Sequence, residues 1–252
     1  MIISLKEFNI QRPEKVTYEF PLSNPADLIN HIKSKSLKSF LATTDEVLAK
    51  NNIELKYEDL TEQKFADWLP YYKEKMEENH HDVLAKLEWY KDQKDSKLKG
   101  IFLYQNKKLV GSGIVRLTKD TADFAYKASD KITVSSKPSS SIGSIIEFLF
   151  LRFANENGYK MANSRSRNAF GFFNTLEYLD YKLRFGYKPI PSPSVPVVDD
   201  VPVNETGRVL FYGLQDGKFI LFSLQPESEK GKDWFDKSRF ASLETPLKEI
   251  YY

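Results

Sequence analysis

The stretch 140–189 constrains the fold more than any other part of the chain. It begins with a run from Ile142 to Ala154 that is apolar on nearly every side and is interrupted by only a few small or charged residues. Because a helix that is apolar all round is covered on most of its faces, this run predicts a buried helix over 141–157. A short strand near 159–164, a basic turn and an amphipathic helix ending at Gly186 follow it. The apolar stripe of that second helix consists of Phe172, Leu176, Leu179 and Leu183.

Alternating and apolar segments predict a mixed, mainly antiparallel sheet flanked by helices, so the expected fold class is α/β (α+β). The clearest local signal is the hairpin between 100 and 117, whose second strand carries Gly111 and Gly113. Glycines inside a strand indicate a bulge or the close approach of a ligand to the backbone. Two helices are expected between 61 and 90. The strands expected in this sheet are 53–57, 100–104, 109–117, 122–127, 159–164 and 186–190.

These patterns divide the chain into four segments. Residues 1–52 are predicted to form an N-terminal α/β extension, and 53–190 the main domain. A proline-rich connector is expected over 191–207. The last segment, 208–252, is predicted to be a β-hairpin and tail packed on the main domain, with Asp216-Gly217 as its favoured two-residue turn.

Composition excludes several classes of protein. The 252 residues carry a net charge of +2 from 37 basic and 35 acidic side chains, which provides no global field for nucleic acid or an anionic membrane. The chain contains no cysteine, so disulfides, thiolate nucleophiles and cysteine zinc sites are excluded, and no metal is expected. The first residues lack the pattern of a signal peptide, and no apolar run approaches the length of a membrane span. A cytoplasmic protein is therefore expected.

The charge balance shifts locally after the buried helix. Between Lys160 and Lys188 there are six Lys or Arg residues against two acids, Glu177 and Asp180. This surplus is consistent with an anionic ligand near the basic turn, where the guanidinium groups of Arg165 and Arg167 match phosphate or carboxylate in a bidentate manner. Solvated surface charge is the alternative interpretation of these two residues.

The order of elements resembles that of the GCN5-related N-acetyltransferase (GNAT) superfamily, with 53–190 as one copy of its domain. Within it, the closest resemblance is to the FemAB-like and polysaccharide-associated acetyltransferase branch. That branch has a Gly-Arg-Ser-like turn, matched here by Asn-Ser-Arg-Ser at 163–166. It also has a Phe-Lys-x-x-Phe/Trp-Gly motif, matched by Tyr-Lys-Leu-Arg-Phe-Gly at 181–186. The resemblance implies transfer of an acyl group from a CoA-type thioester to an amine or hydroxyl of a small acceptor, such as an amino sugar or an amino-acid derivative.

The resemblance also implies where the acyl donor binds. In the superfamily, backbone N–H groups and the positive end of the helix dipole hold the donor at the start of the buried helix. The donor-binding residues expected here are Ser141, Ile142, Gly143 and Ser144, while Arg165, Arg167 and Lys182 are expected to bind substrate. The usual Arg/Gln-x-x-Gly-x-Gly/Ala motif is replaced by Ser-Ser-Ile-Gly-Ser-Ile, with Ile145 where a small residue is usual. A simple serine N-cap explains the same residues without a ligand.

Three residues are candidates for proton transfer. His80 lies between the two helices that form the acceptor side of this fold, and could take a proton from an attacking amine. Tyr126 and Tyr181 could protonate a leaving thiolate or contact the acceptor. The simpler alternatives are a solvated loop for His80 and packing for the tyrosines. Glu147 could act as a base, but we expect it on a solvated edge near Arg152.

Two other functions remain open at this point. One is a FemAB-like transferase that takes an amino acid from aminoacyl-tRNA, which would be the only nucleic-acid partner. The other is a non-catalytic GNAT-fold protein that binds a ligand. The acyl group, the acceptor and the oligomeric state do not follow from the sequence.

Overall fold

The computed structural model describes residues 1–22, 28–93, 95–136, 140–165, 171–173, 176–192, 195–237 and 246–252, with Arg165 described by its backbone only. The chain divides into two compact units. The first unit comprises Met1–Glu19 and Arg165–Tyr252, and the second comprises Phe20–Ser164. The predicted range 53–190 includes parts of both units, and 208–252 lies within the first.

Strands and helices follow one another in an order that includes every strand expected from the sequence. Along the chain the elements are β1 (Ile2–Ser4), β2 (Arg12–Pro13), β3 (Val16–Pro21), α1 (Leu28–His31), α2 (Lys35–Leu41), α3 (Thr44–Lys50), β4 (Ile53–Asp59), α4 (Glu62–Glu78), α5 (Leu87–Lys91), β5 (Lys97–Gln105), β6 (Lys108–Leu117), β7 (Thr121–Ser129), α6 (Ile142–Glu156), β8 (Met161–Arg165), β9 (Phe172–Phe173), α7 (Glu177–Phe185), β10 (Lys188–Pro191), β11 (Val197–Val198), β12 (Asp200–Pro202), β13 (Val209–Gln215), β14 (Lys218–Gln225) and β15 (Leu247–Tyr251).

The second unit is built on a sheet with the strand order β8-β7-β6-β5-β4. Its neighbouring strands pair antiparallel except β7 and β8, which are parallel. Helix α6 covers one face, where it packs on β6 and β7. The other face carries an apolar cluster in which Trp68 of α4 and Ile114 of β6 are both buried. The mixed, mainly antiparallel sheet predicted from the sequence is therefore confirmed.

Three helices predicted in this unit agree with the structure to different extents. Helix α6 forms over nearly the predicted range, with Ile145, Leu149 and Phe150 fully buried. Helix α4 continues through Pro70 as one element. Helix α5 is shorter than predicted, because the chain before it is extended and places Ala85 in the apolar cluster.

The first unit contains the C-terminal hairpin and pairs it with distant strands. Strands β13 and β14 form the predicted hairpin, whose turn residues Asp216 and Gly217 have φ values of 51° and 72°. Both central residues of the favoured type I′ turn have positive φ, so the predicted turn is confirmed. Strand β9 pairs with β13, and β15 pairs parallel with β14.

The N-terminal strands belong to the same unit. β1 pairs with β12, β2 with β11 and β3 with β10, all antiparallel. The side chains of Leu5 and Ile10 are consequently buried against Phe211 and Phe222 of the hairpin. Among the described residues, no helix is long and apolar enough to cross a membrane.

Candidate functional site

The candidate site of the second unit lies where β7 parts from β8. Their parallel pairing runs from Thr121 opposite Met161 to Phe124 opposite Ser164, which is the last pair. On its other side β7 remains paired with β6 as far as Ser129. The described part of β8 thus accompanies only the first half of β7, and the backbone of 125–129 lies beyond it.

A β-bulge marks the point of parting. In the register of β6 and β7, Ile114 lies opposite Tyr126 and Val115 lies opposite Phe124, so Ala125 is the extra residue. A bulge bends its strand and increases the local twist. The bend therefore occurs at the first residue of β7 after its last pair with β8.

The start of α6 lies against the far end of β7. A Cβ atom placed on Gly143 would lie 3.3 Å from the Oγ atom of Ser129. The Oγ atom of Ser141 accepts a hydrogen bond from the backbone N–H of Ser144 at 3.1 Å, which makes Ser141 the N-cap. Residues 125–129 of β7, which lie beyond the last pair with β8, therefore end beside the N-terminus of α6. This is the positive end of the dipole of a fifteen-residue helix.

The four residues expected to bind the donor differ in exposure. Ser141 is exposed and Gly143 is partly exposed, whereas the side chains of Ile142 and Ser144 are buried. Ile142 can thus offer only its backbone to a ligand. Ile145, which replaces the small residue of the family motif, is fully buried and belongs to the core.

The two glycines of β6 serve helix packing. A Cβ atom at Gly111 would lie 2.6 Å from Ile142 of α6, and one at Gly113 would lie 2.5 Å from the ring of Phe124 and 3.1 Å from Ile146 of α6. Real Cβ atoms do not approach other side chains so closely, so these glycines allow α6 to lie close to the sheet. A bulge is also present where Leu103 pairs with Gly111 and Tyr104 pairs with Leu109. The expected bulge is confirmed, and the face of the glycines is occupied by α6.

Glu147 is not on a solvated edge, and that expectation was wrong. Its side chain is 1% exposed and its carboxylate lies 2.8 Å from the ammonium of Lys127 on β7. Arg152 instead pairs with Asp45 at 2.9 Å. An ion pair thus joins the second turn of α6 to residues 125–129 of β7, the part of this strand that is not paired with β8.

Tyr126 lies on the opposite face of β7, among aromatic side chains of α4 and α5. Its ring centroid is 4.8 Å from that of Trp89, 5.6 Å from Tyr72 and 6.2 Å from Trp68. The indole N–H of Trp68 donates a 2.8 Å hydrogen bond to Ser112 Oγ, which fixes this ring against β6. Tyr126 is partly exposed, so its phenol and the aromatic side chains around it lie on this face of residues 125–129 of β7.

His80 occupies the turn that ends α4. It is exposed, its φ is 53°, and its backbone N–H donates to Glu77 O at 3.0 Å. His80 therefore lies directly after α4, between α4 and α5 in the chain.

A buried lysine near the end of β7 escaped the sequence analysis. Lys75 of α4 is buried and lies 3.2 Å from Asp130, the residue after β7, and 3.0 Å from Glu78. The hydroxyl of Tyr71 donates to Asp130 Oδ1 at 3.4 Å, and burial together with this carboxylate raises the pKa of Tyr71. The signal was available, since Lys75 continues the apolar stripe of Phe65, Trp68 and Tyr72 along α4.

The remaining sequence candidates lie in the first unit. Lys182 of α7 is buried, and its ammonium lies 5.6 Å from the ring centroid of Tyr178, 5.7 Å from that of Tyr181 and 4.6 Å from that of Tyr187. The ring of Tyr181 also packs on Phe185 at 5.0 Å. The side chain of Arg165 and all of Arg167 lie outside the described residues.

The described ranges contain no group of three or more His, Cys, Asp or Glu side chains placed to hold a metal ion.

Solved structures are similar to this chain in fold. The crystal structure of FemX has a TM-score of 0.52 at 8% identity, over 74% of this chain and 65% of FemX. The C-terminal domain of a putative lysylphosphatidylglycerol synthetase from Agrobacterium fabrum has a TM-score of 0.47 at 11% identity, over 74% and 61% of the two chains. A GCN5-related N-acetyltransferase from Anabaena variabilis has a TM-score of 0.37 at 9% identity, over 87% and 57%.

The chain thus spans less than two thirds of the length of each of these three proteins. No family model matches the sequence, and no curated protein matches it. The fold is similar to that of FemX. At these identities the similarity concerns the fold alone, because one fold supports many functions.

Proposed function

We propose that this chain is an acyltransferase that holds a CoA-type thioester along residues 125–129 of β7 and transfers its acyl group to an amine or hydroxyl of a small acceptor. The observation that carries the proposal is the parting of β7 from β8 at Phe124, next to the N-terminus of α6.

This arrangement supplies two things that a thioester donor needs. Backbone N–H groups of the parted segment can polarise the thioester carbonyl and stabilise the oxyanion that develops during attack. At the end of the segment, the first turn of α6 can hold the diphosphate of the donor, since anions are stabilised at helix N-termini. In this proposal Ser141 and Gly143 contact the donor directly, while Ile142 contributes its backbone and Ser144 supports the cap.

Direct transfer from donor to acceptor needs positioning more than a strong nucleophile. Holding both reactants in one complex converts a bimolecular step into an effectively unimolecular one. The acceptor would lie on the face with α4 and α5, beside Tyr126 and its aromatic neighbours. His80 is proposed to accept the proton of the attacking amine, and Tyr126 to donate a proton to the departing thiolate.

The resemblance to the FemAB-like branch implies further substrate-binding residues. We propose that Lys182 binds a group of the substrate, and that Arg165, Arg167 and Tyr181 contact the substrate as the resemblance implies. Arg165 is the last residue of β8, and Arg167 comes two residues later in the sequence.

Thermal unfolding of the whole chain with and without CoA tests this proposal. A ligand present at 100 times its Kd stabilises a protein by about 2.7 kcal/mol. We therefore expect CoA and acetyl-CoA to raise the midpoint in a saturable manner. Adenosine 3′,5′-diphosphate is the matched probe, because it shares the phosphates near the ribose but lacks the thioester arm.

A donor other than CoA would give a different result. Saturable binding of aminoacyl-tRNA at moderate salt, with no effect of CoA, would contradict the CoA proposal and favour the aminoacyl-tRNA alternative. Binding of CoA without turnover of any amine would favour a non-catalytic ligand-binding protein.

A further inference from the structure

The side-chain oxygen of an asparagine beside the parting of β7 and β8 is buried without a hydrogen-bond partner among the described residues. Asn163 lies opposite Asp123 in the parallel register, one residue before the last pair of the two strands. Its Nδ2 atom donates a 3.0 Å hydrogen bond to Asp123 Oδ1, whereas its own Oδ1 atom has no partner in the described part of the chain. Buried side-chain polar atoms nearly always have such a partner, so this oxygen requires an explanation.

The contact with Asp123 decides which way the carboxamide of Asn163 faces. The oxygen and nitrogen of an asparagine side chain are told apart by their hydrogen bonds. An ionised carboxylate accepts hydrogen bonds and donates none, so the nitrogen must face Asp123 and the oxygen is the atom left over. The carboxylate is held in turn by Arg116, whose Nε atom donates to Asp123 Oδ2 at 3.0 Å. The buried atom is therefore an acceptor that lacks a donor.

Arg116 connects this pair of side chains to helix α5. Its Nη1 atom donates to Gln93 Oε1 at 3.2 Å, and Gln93 Nε2 donates to the backbone carbonyl of Trp89 at 3.1 Å. The polar side-chain atoms of Gln93 and both carboxylate oxygens of Asp123 thus have partners within the network. Asn163 Oδ1 is fixed by the same network and is left to accept a hydrogen bond from a ligand.

The network lies on the face of the sheet where we propose that the acceptor binds. Arg116 and Ile114 are two residues apart on β6, so their side chains share a face. Asp123 and Tyr126 are their partners in the register and share that face too, because the bulge at Ala125 shifts β7 by one residue. The buried oxygen of the asparagine therefore belongs to the face of Tyr126 and its aromatic neighbours, one residue before the strands part.

We propose that Asn163 Oδ1 accepts a hydrogen bond from the attacking nitrogen of the acceptor and thereby selects a primary amine over a hydroxyl. This inference rests on the proposed function and names the acceptor class of that same site. Donation to Asp123 polarises the carboxamide and makes its oxygen a stronger acceptor. The positive charge that develops on the attacking nitrogen is stabilised by such an oxygen.

The proton balance of the transfer explains the selection. The amine nitrogen forms a bond to the carbonyl carbon, the C–S bond breaks, and its electron pair leaves with the sulfur. One N–H proton goes to His80, and the departing thiolate takes a proton from Tyr126. The second N–H proton stays on the nitrogen in the amide product, and it is this proton that Asn163 holds. A hydroxyl has a single proton, which it gives up, so it keeps none for the asparagine.

Two CoA derivatives that carry the acceptor part on the sulfur test this proposal without knowledge of the natural acceptor. S-(N-propylcarbamoylmethyl)-CoA has an amide with one N–H, and S-(propoxycarbonylmethyl)-CoA has an ester oxygen in place of that N–H. Both are titrated calorimetrically into the whole chain. We expect the wild type to bind the amide about tenfold more tightly than the ester, a difference of about 1.4 kcal/mol.

Substitutions in the network assign this preference to one atom. Asn163→Leu keeps the size of the side chain without its polar atoms, and Asn163→Ala removes the carboxamide without adding bulk. We expect both variants to bind amide and ester with equal affinity. Gln93→Leu is the matched control, since it removes a carboxamide of the same network whose oxygen and nitrogen both have partners. It should keep the tenfold preference, and the ratio of the two affinities is insensitive to a general loss of stability.

The possible results separate this proposal from the proposed function. Equal binding of amide and ester by the wild type would overturn the role of Asn163, as would an undiminished preference in both of its variants. An equal loss of the preference in Gln93→Leu would do the same, because it would reflect a general disturbance of the network. In each of these cases the CoA part still binds and the proposed function stands. Failure of the wild type to bind CoA and both derivatives would overturn the proposed function and this inference together.

Discussion

At the scale of single residues, ionisable side chains within the core of the second unit connect its elements. The ammonium of Lys127 on β7 reaches the enclosed carboxylate of Glu147 on α6, and Lys75 on α4 reaches Asp130 at the end of β7. Each pair joins a helix to the strand along which we propose the donor to lie. We therefore expect these ion pairs to fix the position of β7 between its two layers of helices.

Substitution of Lys127 tests the pair with Glu147. Removing one partner of a buried ion pair costs about 3–5 kcal/mol, because the other charge is left in a low-dielectric site. Lys127 is 29% exposed, whereas Glu147 is 1% exposed, so we expect a smaller loss of about 2 kcal/mol for Lys127→Met. The measurement is urea unfolding at pH 7. The double variant Lys127→Met/Glu147→Leu should regain part of the loss, and a change below about 0.5 kcal/mol in the single variant would contradict this account.

The buried tyrosines of the first unit predict a loss of stability at high pH. Burial raises the pKa of Tyr18 and Tyr212 in the folded state, whereas in the unfolded state both ionise near pH 10. The unfolded state therefore loses protons first, and the free energy of unfolding falls as pH rises above 10. At pH 11 the expected loss is about 1.4 kcal/mol for each group.

Urea unfolding at pH 9, 10 and 11 measures this loss. In the variant Tyr18→Phe/Tyr212→Phe the decline between pH 9 and 11 should be shallower than in the wild type. An equally steep decline in both proteins would show that the two phenols ionise in the folded state or are not its cause.

The position of Glu147 was beyond sequence reasoning for an identifiable reason. A lone acid in an apolar helix has the same periodicity whether it faces solvent or a partner on a neighbouring strand. Its partner, Lys127, is twenty residues away and belongs to a different element, strand β7. Only the packing of α6 on β7 brings the two together.

At the scale of elements, helix α6 lies close to the sheet because β6 has glycines beneath it. Gly111→Ala would place a methyl group 2.6 Å from Ile142 and 2.7 Å from Ile146. Such overpacking costs about 1–3 kcal/mol, so we expect a loss in this range in urea unfolding. Gly143→Ala is the matched control, since its methyl group would lie 3.3 Å from Ser129 Oγ and alanine favours the helix. Equal stability of the two variants would mean that the glycines of β6 do not set this spacing.

Elements with a strong local sequence pattern could be predicted from the sequence. The pairing of strands with one another could be predicted only in part. Helix α6 and the hairpin of β13 and β14 follow from periodicity and from the Asp216-Gly217 turn. The parting of β7 from β8 could not be placed at Phe124, because it depends on the bulge at Ala125 and on a parallel register between strands far apart in sequence. Parallel pairing leaves no turn signal from which a register can be read.

At the scale of the whole molecule, chain order and spatial organisation differ. The N-terminal residues Met1–Glu19 belong to the same unit as the last third of the chain, through the pairs of β1 with β12 and of β2 with β11. Ile2 and Pro202 are opposite each other in this register, although they are 200 residues apart. No local sequence pattern indicates which strand a short strand pairs with when the two are so far apart in the chain. The sequence therefore predicts the N-terminal segment as a separate extension.

At this scale the proposed function depends on the acyl donor binding where β7 meets the start of α6. Calorimetric titration of CoA into the wild type, Gly143→Ala and Gly143→Glu tests it most directly. An acidic residue near a helix N-terminus favours the fold, so Gly143→Glu should unfold at a temperature no lower than the wild type. We predict that this variant binds CoA at least tenfold more weakly, since its charge and bulk oppose the diphosphate, whereas Gly143→Ala retains affinity within about threefold, a difference of about 0.7 kcal/mol. Undiminished CoA affinity in Gly143→Glu, or no binding of CoA by the wild type, would contradict the account.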